Sequence, residues 1–303
     1  DLYVAKCGCD ANDILMRNDG NGQFSSVPGP LGLGDFHQSW SSAWGDFDND
    51  GDMDVLVGGS DSPDHRLMRN DGDGAFTNVT AGSGLDQLLT QSIEWVTHDF
   101  NNDGRLDILG GGVIMVNLGG LRFAQNSYLP GFGGVGDLNN DGSLDIFGQQ
   151  GLQSGVPNDN HWLRVVLHGV VSNSEGIGAR ITVEQAGGEQ IREGRSGDGF
   201  RFMSSIMPHF GLGDDPVIER VVVRWPSGIV QVVEDVPSDQ LVDITEPVST
   251  SLAASPGSNA LIAFPNPAAD QLWLKGEGID PTSPVRISDI TGRTAAILTL
   301  TEG

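Results

Sequence analysis

Basic residues, cysteines, aromatics and long apolar runs are all scarce in this sequence. Lysine and arginine number 16 against 41 aspartates and glutamates, a formal charge of −25 with an isoelectric point near 4.2. Phosphate backbones repel such a chain, so no nucleic-acid partner is expected. The two cysteines, Cys7 and Cys9, stand one residue apart. They leave open a local disulfide or two free thiols, and without a neighbouring His or Cys cluster they do not read as a metal site. No apolar run approaches the ~18 residues of a membrane span, so none is expected. Aromatics make up 7% of the chain while glycines number 44, which suits a turn-rich β protein. At 303 residues the length predicts about two domains. With no initiator Met and no signal peptide, the chain reads as an excised piece of something longer.

Catalytic signatures are missing too. There is no Gly-x-Ser-x-Gly elbow. Gly131-Phe132-Gly133-Gly134-Val135-Gly136 fits a GxGxxG pattern, but it follows Pro130 and leads toward an acidic loop rather than a helix. A dinucleotide fingerprint needs a strand before it and a helix after it, so that reading is rejected.

What the sequence does hold is a threefold acidic loop. Asp46-Phe47-Asp48-Asn49-Asp50-Gly51-Asp52-Met53-Asp54 recurs as Asp99-Phe100-Asn101-Asn102-Asp103-Gly104-Arg105-Leu106-Asp107 and as Asp137-Leu138-Asn139-Asn140-Asp141-Gly142-Ser143-Leu144-Asp145. Each copy sets oxygen side chains at positions 1, 3, 5 and 9, with Gly at 6 and an apolar residue at 2. Calcium takes roughly 6–8 oxygen ligands, which alternate side chains and a backbone carbonyl can supply. The expected ligands are Asp46, Asp48, Asp50 and Asp54; Asp99, Asn101, Asp103 and Asp107; and Asp137, Asn139, Asp141 and Asp145. Position 7, held by Asp52, Arg105 and Ser143, is expected to offer its carbonyl. The expected cofactor is therefore Ca²⁺, about one per loop. A helix-loop-helix site would end in Glu at position 12 and enter a helix. These loops close with Asp and run into Val55-Leu56-Val57, Ile108-Leu109 and Ile146-Phe147, which places them on strand hairpins.

The loops belong to a larger repeat. Leu15-Met16-Arg17-Asn18-Asp19-Gly20 returns 52 residues later as Leu67-Met68-Arg69-Asn70-Asp71-Gly72, with a weaker echo at Ile114 to Phe123. Several strands per unit at such a period point to propeller blades. Asp1-Leu2-Tyr3-Val4 matches Asp54-Val55-Leu56-Val57, so Asp1 reads as a ninth loop position. With these residues in view, the first 150 or so resemble FG-GAP/VCBS repeats, the calcium-loop propeller repeats also found in integrin α heads. The resemblance implies calcium at positions 1, 3, 5 and 9. Asn in place of Asp at position 3 lowers the ligand charge of the second and third loops.

From Asn160 onward the calcium loops stop. Gly176-Ile177-Gly178-Ala179-Arg180, His209-Phe210-Gly211-Leu212-Gly213 and Arg224-Trp225-Pro226-Ser227-Gly228 are similar in order and spacing to the ASPIC/UnbV domain. Arg180, His209 and Trp225 then read either as a ligand site or as a turn set with Trp225 in a small core, and the second reading is favoured. After a small-residue linker, Phe264-Pro265-Asn266-Pro267-Ala268 and Asp289-Ile290-Thr291-Gly292-Arg293 resemble the start of a type IX secretion C-terminal sorting domain.

The expected fold is all-β: a partial β-propeller of about three blades, N-terminally truncated (1–157), a β-rich ASPIC/UnbV-like domain (158–247), a linker (248–259) and a partial β-sandwich sorting domain (260–303). The expected function is a secreted, calcium-stabilised module that binds an extracellular protein or glycan. If the sorting resemblance holds, the source is a Gram-negative bacterium and the protein is released or attached at the outer-membrane surface. The competing reading is a polysaccharide lyase or hydrolase whose catalytic part lies upstream or converges on the propeller channel.

Overall fold

The computed structural model describes residues 1–6, 13–27, 33, 39–59, 64–72, 75–126 and 131–248, with the backbone of four short strands beyond. Cys7, Cys9, residues 249–259 of the linker, and the Pro265-Asn266-Pro267 and Asp289–Arg293 motifs lie outside the described residues. Residues Asp1–Glu246 form one compact unit and Pro247–Gly303 a second.

The repeats fold into four antiparallel sheets. The first holds β1 (Leu2–Val4), β2 (Ile14–Gly20) and β3 (Gln23–Ser26). The second holds β4 (Ser39–Gly45), β5 (Asp54–Gly59), β6 (Arg66–Asn70) and β7 (Phe76–Asn78). The third holds β8 (Trp95–His98), β9 (Asp107–Gly110), β10 (Val113–Asn117) and β11 (Phe123–Asn126), and the fourth β12 (Gly133–Gly136), β13 (Asp145–Gly148) and β14 (Gly151–Gln153). The repeat is thus spread over four sheets, two with four strands and two with three, where about three blades were expected. The Asp1 reading holds: its carboxylate accepts the Asn18 amide at 2.9 Å, as Asp54 accepts that of Asn70 at 2.8 Å. The rejected GxGxxG ends in strand β12, not at a helix.

Stacking explains why the inner strands lack polar–apolar alternation. In a strand, successive side chains face opposite sides of the sheet. Val55 and Val57 pack with Leu33, Met68, Tyr3 and Trp44 toward the first sheet, whereas Leu56 packs with Phe47, Trp95, Ile108 and Phe123 toward the third. Val96, Leu109 and Ile114 meet Val135 and Ile146 between the third and fourth sheets. At the two outer faces the apolar side chains are open: Leu2 is 51% and Phe147 59% exposed. The arc of sheets is not closed.

The rest of the first unit is a two-sheet β domain. One sheet orders as β18 (His209–Gly213), β15 (His161–His168) and β21 (Gln240–Thr245), with β15 and β21 parallel. The other orders as β17 (Gly188–Glu193), β16 (Arg180–Gln185), β19 (Arg220–Arg224) and β20 (Val230–Glu234). Leu163, Val165 and Leu167, alternate residues of β15, face Ile181, Val183, Val221 and Val223 in one core. Trp225 lies in this core with Nε1 donating to Gln231 Oε1 at 2.9 Å, and Gly228 takes φ +89° in the turn that follows. In the second unit, β22 (Ile262–Phe264) pairs with β23 (Trp273–Lys275), and β24 (Val285–Ser288) with β25 (Thr294–Leu298), each pair antiparallel.

Candidate metal centre

Each acidic loop joins the first strand of its sheet to the second, and the three copies share one backbone scheme. The position-1 carboxylate caps the loop from inside. Asp46 accepts the amides of Asp50 and Gly51 at 3.1 and 3.0 Å, Asp99 those of Asp103 and Gly104 at 3.1 and 2.8 Å, and Asp137 those of Asp141 and Gly142 at 3.1 and 3.0 Å. The position-9 carboxylate ties the loop to its sheet. Asp54 accepts from Phe47 at 3.0 Å, Asp107 from Phe100 at 3.0 Å and Asp145 from Leu138 at 2.9 Å, each using its other oxygen on the third strand or the segment after it. The position-6 glycines take φ of +93°, +86° and +86°, where a Cβ is strained. At Gly142 a Cβ would also collide with the Trp162 indole.

The first loop converges best. Asp46, Asp48 and Asp50 bring ligand oxygens within 4.8 Å of one another. Asp48 Oδ1 is buried with no hydrogen-bond partner, an oxygen left free for a cation. The donor set is all oxygen, as a hard cation requires. In the second and third loops the position-3 amide turns its nitrogen on the position-5 carboxylate, Asn101 to Asp103 at 2.9 Å and Asn139 to Asp141 at 2.8 Å, leaving Oδ1 on the loop amide. Arg105 does more than offer a carbonyl. Its guanidinium pairs with the Asp103 carboxylate and donates to the Asn117 carbonyl at 3.1 Å.

Clustering and burial make these acids costly to ionise. Burial pushes the Asp46 carboxyl up to about 6 and the Asp54 and Asp99 carboxyls up to about 7, with neighbouring loop carboxylates adding to the rise. Asp107 rises well above the ordinary carboxylate range for the same reasons. A divalent cation removes this penalty by supplying the opposite charge.

Several residues that sequence reasoning passed over complete the arrangement. Asn49, Asn102 and Asn140, at position 4, all take positive φ, which asparagine tolerates. Asn49 Nδ2 donates to the Gly104 carbonyl at 3.1 Å, and Asn102 Nδ2 to the Gly142 carbonyl at 2.9 Å, so each loop holds the next. Their presence in all three copies was the available signal. Arg164 of β15 donates to the Asp137 carbonyl at 2.8 Å and to Asn140 Oδ1 at 2.5 Å. The half-buried Arg192 lies near Asp99 and Asp46, and nothing in the loop pattern announced either arginine. Arg180 and His209 reach the loops as well: Arg180 Nη2 donates to the Gly51 carbonyl at 2.9 Å, and His209 Nε2 lies 2.7 Å from Asn102 Oδ1.

Between β17 and β18 a finger, residues 195–207, runs along the first strands of three sheets. Arg195 donates to the Trp44 carbonyl at 2.9 Å, His98 pairs with Asp198 at 2.8 Å, and Ser205 donates to the Val135 carbonyl at 2.7 Å. Glu94 accepts the amides of Arg201 and Phe202 at 3.2 and 3.1 Å at the finger's tip. The cavity it leaves beside His98, Arg192, Asp198 and His209 measures about 70 Å³. A larger cavity of about 540 Å³, lined by Tyr3, Trp44, Phe76 and Arg195 among others, borders the open first sheet.

Sheets stacked face to face, three of them with an acidic loop in the first hairpin, under a two-sheet β cap, define a propeller-like repeat protein with an accessory domain. Family comparison names both parts: residues 1–57 match the FG-GAP-like repeat, and residues 169–251 match ASPIC and UnbV. The chain therefore carries FG-GAP-like repeats and an ASPIC/UnbV domain. It is similar to Cartilage acidic protein 1 of Mus musculus, 26% identical over 275 residues, covering 77% of this chain and 41% of that protein. The Homo sapiens protein of the same name is 26% identical over 257 residues, covering 71% and 37%. That of Xenopus tropicalis is 30% identical over 87 residues, covering 29% and 13%. The chain thus spans about two fifths, or less, of the curated relatives it matches. No described helix is long and apolar enough to cross a membrane.

Proposed function

We propose that the chain is the calcium-binding part of an extracellular binding or adhesion protein, with calcium in a structural role. The observation that carries this reading is the shared geometry of the three loops, and above all the free, buried Asp48 Oδ1 among converging carboxylates. Asp46, Asp48, Asp50 and Asp54 would hold one ion with the Asp52 carbonyl. Asp99, Asn101, Asp103 and Asp107 with the Arg105 carbonyl would hold a second, and Asp137, Asn139, Asp141 and Asp145 with the Ser143 carbonyl a third. Bound calcium would neutralise each loop and fix its hairpin.

The partner, an extracellular protein or glycan, would sit at the end of the sheets opposite the loops. There Trp40, Phe132, Phe200 and Met203 are exposed, with Arg201 over the Phe132 ring, and exposed apolar side chains of this kind support a partner at that end. The likeness to Cartilage acidic protein 1 supports an extracellular setting, and the type IX resemblance of residues 260–303 would make the route an outer-membrane one.

Melting with and without calcium tests the reading. An ion bound only by the folded form stabilises by RT ln(1 + [L]/Kd), about 2.7 kcal/mol at a hundredfold excess over Kd. Calcium is expected to raise Tm and chelation to lower it, while an unchanged Tm with no retained metal rejects it.

A further inference from the structure

The accessory domain grips the acidic loops through their own backbone and amide oxygens. Arg180 holds the Gly51 carbonyl of the first loop at 2.9 Å. In the second, Asn158 and Asn160 donate to the Asn101 carbonyl at 2.7 and 2.9 Å, and the Gly213 amide donates to the Asn102 carbonyl at 2.8 Å. His209 meets Asn102 Oδ1, and its ring stacks on Trp162, which covers Gly142 of the third loop. Arg164 takes the Asp137 carbonyl and Asn140 Oδ1 of that loop. These acceptors lie at positions 1, 3, 4 and 6, interleaved with the side chains that would hold calcium. A loop pinned by an ion presents them preorganised, and a loose loop does not.

We propose that calcium occupancy of the three loops controls docking of the 158–246 domain, with Arg164, Arg180 and His209 as positioning residues that read the state of the loops. The inference rests on the calcium reading above. Electrostatics opposes it only in part. Counting Asp52, the first loop carries five carboxylates and the third three, so both stay negative toward Arg180 and Arg164 after binding one divalent ion, although Arg164, 3.4 Å from the Asp137 carboxylate, loses part of its attraction. The second loop, with three carboxylates and Arg105, becomes neutral, and it is held by Asn158, Asn160, the Gly213 amide and His209 rather than by an arginine. Most of the remaining contacts are neutral donors on carbonyls. Coupling runs both ways: the docked domain raises calcium affinity as much as calcium favours docking.

Hydrogen exchange on the full chain, with calorimetry in parallel, tests this. On chelation, amides in 158–164 and 209–213 are expected to exchange roughly 5-fold faster or more, in the usual range for coupled sites, while those of the core strand β19 hold. Asp48→Asn with Asp50→Asn is expected to loosen the Arg180 neighbourhood and leave 209–213 protected. Arg180→Gln is expected to weaken calcium at the first loop alone. If calorimetry shows calcium bound but exchange in those segments does not change, the coupling is wrong and the metal reading stands. If no calcium binds, both fail. Acceleration that includes β19 means unfolding rather than undocking and also overturns the proposal.

Discussion

The Asn102 side chain is bonded twice across domain and sheet boundaries, and its closest partner is His209, whose Nε2 lies 2.7 Å from Asn102 Oδ1. Its amide nitrogen meanwhile holds the Gly142 carbonyl at 2.9 Å. Asn102 is only 5% exposed, so water cannot replace either bond. Asn102→Gly keeps the positive φ and strands both partners, and is expected to cost about 3 kcal/mol in chemical denaturation. Asn49→Gly, at a less buried position with one such bond to Gly104, is expected to cost about 1 kcal/mol.

The loops are expected to bind calcium unequally. The first brings four carboxylates, and the second and third bring three, since Asn101 and Asn139 stand at position 3. In the second, Arg105 already pairs with Asp103. Titration is expected to fill the first loop before the other two. Arg105→Ser, which copies Ser143 of the third loop, should tighten the second. Partly exposed ion pairs are worth at most about 1 kcal/mol, so the gain should not exceed about five-fold in Kd.

Acid should act oppositely on the loaded and the stripped protein. Asp46, Asp54, Asp99 and Asp107 have raised carboxyls, so the stripped folded state binds more protons than the unfolded one from about pH 4 to 7. Their stabilising effect is greatest at low pH and is lost as pH rises through 6 to 7. His209 runs the other way. Burial, with Arg192 and Arg164 nearby, lowers it to about 3, so its contribution is intact above about 6.5 and is lost as pH falls. These carboxyls, with Asp48 raised as well, outweigh His209 and the likewise lowered His65, so chelated protein should melt higher at pH 5.5 than at 7.5. Calcium-loaded protein should melt lower at 5.5, because protons then compete with the ion. Equal slopes with and without calcium would contradict this.

The finger along the sheet axis should depend on Glu94, whose Oε1 accepts the Arg201 and Phe202 amides. Glu94→Ala is expected to open residues 195–207 to limited proteolysis while the sheets stay intact. Resistance equal to the parent protein would show that the Asp198 and Ser205 contacts suffice to hold it.

Much of this was legible in the chain. The loop spacing and the Gly at position 6 placed three hairpins, and the Asp1 match identified a ninth loop position, because local turn chemistry and strand period carry that information, whereas the count of about three blades fell short of the four sheets. The core role of Trp225 followed from the turn that succeeds it. Contacts between distant segments were not legible. Arg164 meets Asp137 through a docking that no periodicity encodes, and Phe47 is fully buried while its counterpart Leu138 is 58% exposed, since only the former has a following sheet to pack on. Arg105 was read only for its backbone carbonyl and its guanidinium was passed over, because a position-7 side chain has no ligand role in the loop pattern.

The most direct test of the calcium assignment is an anomalous difference map from crystals grown in excess calcium. A peak is expected within each loop, at about 2.3–2.6 Å from its side-chain oxygens, strongest among Asp46, Asp48, Asp50 and Asp54. Loops holding only water under those conditions would contradict the account.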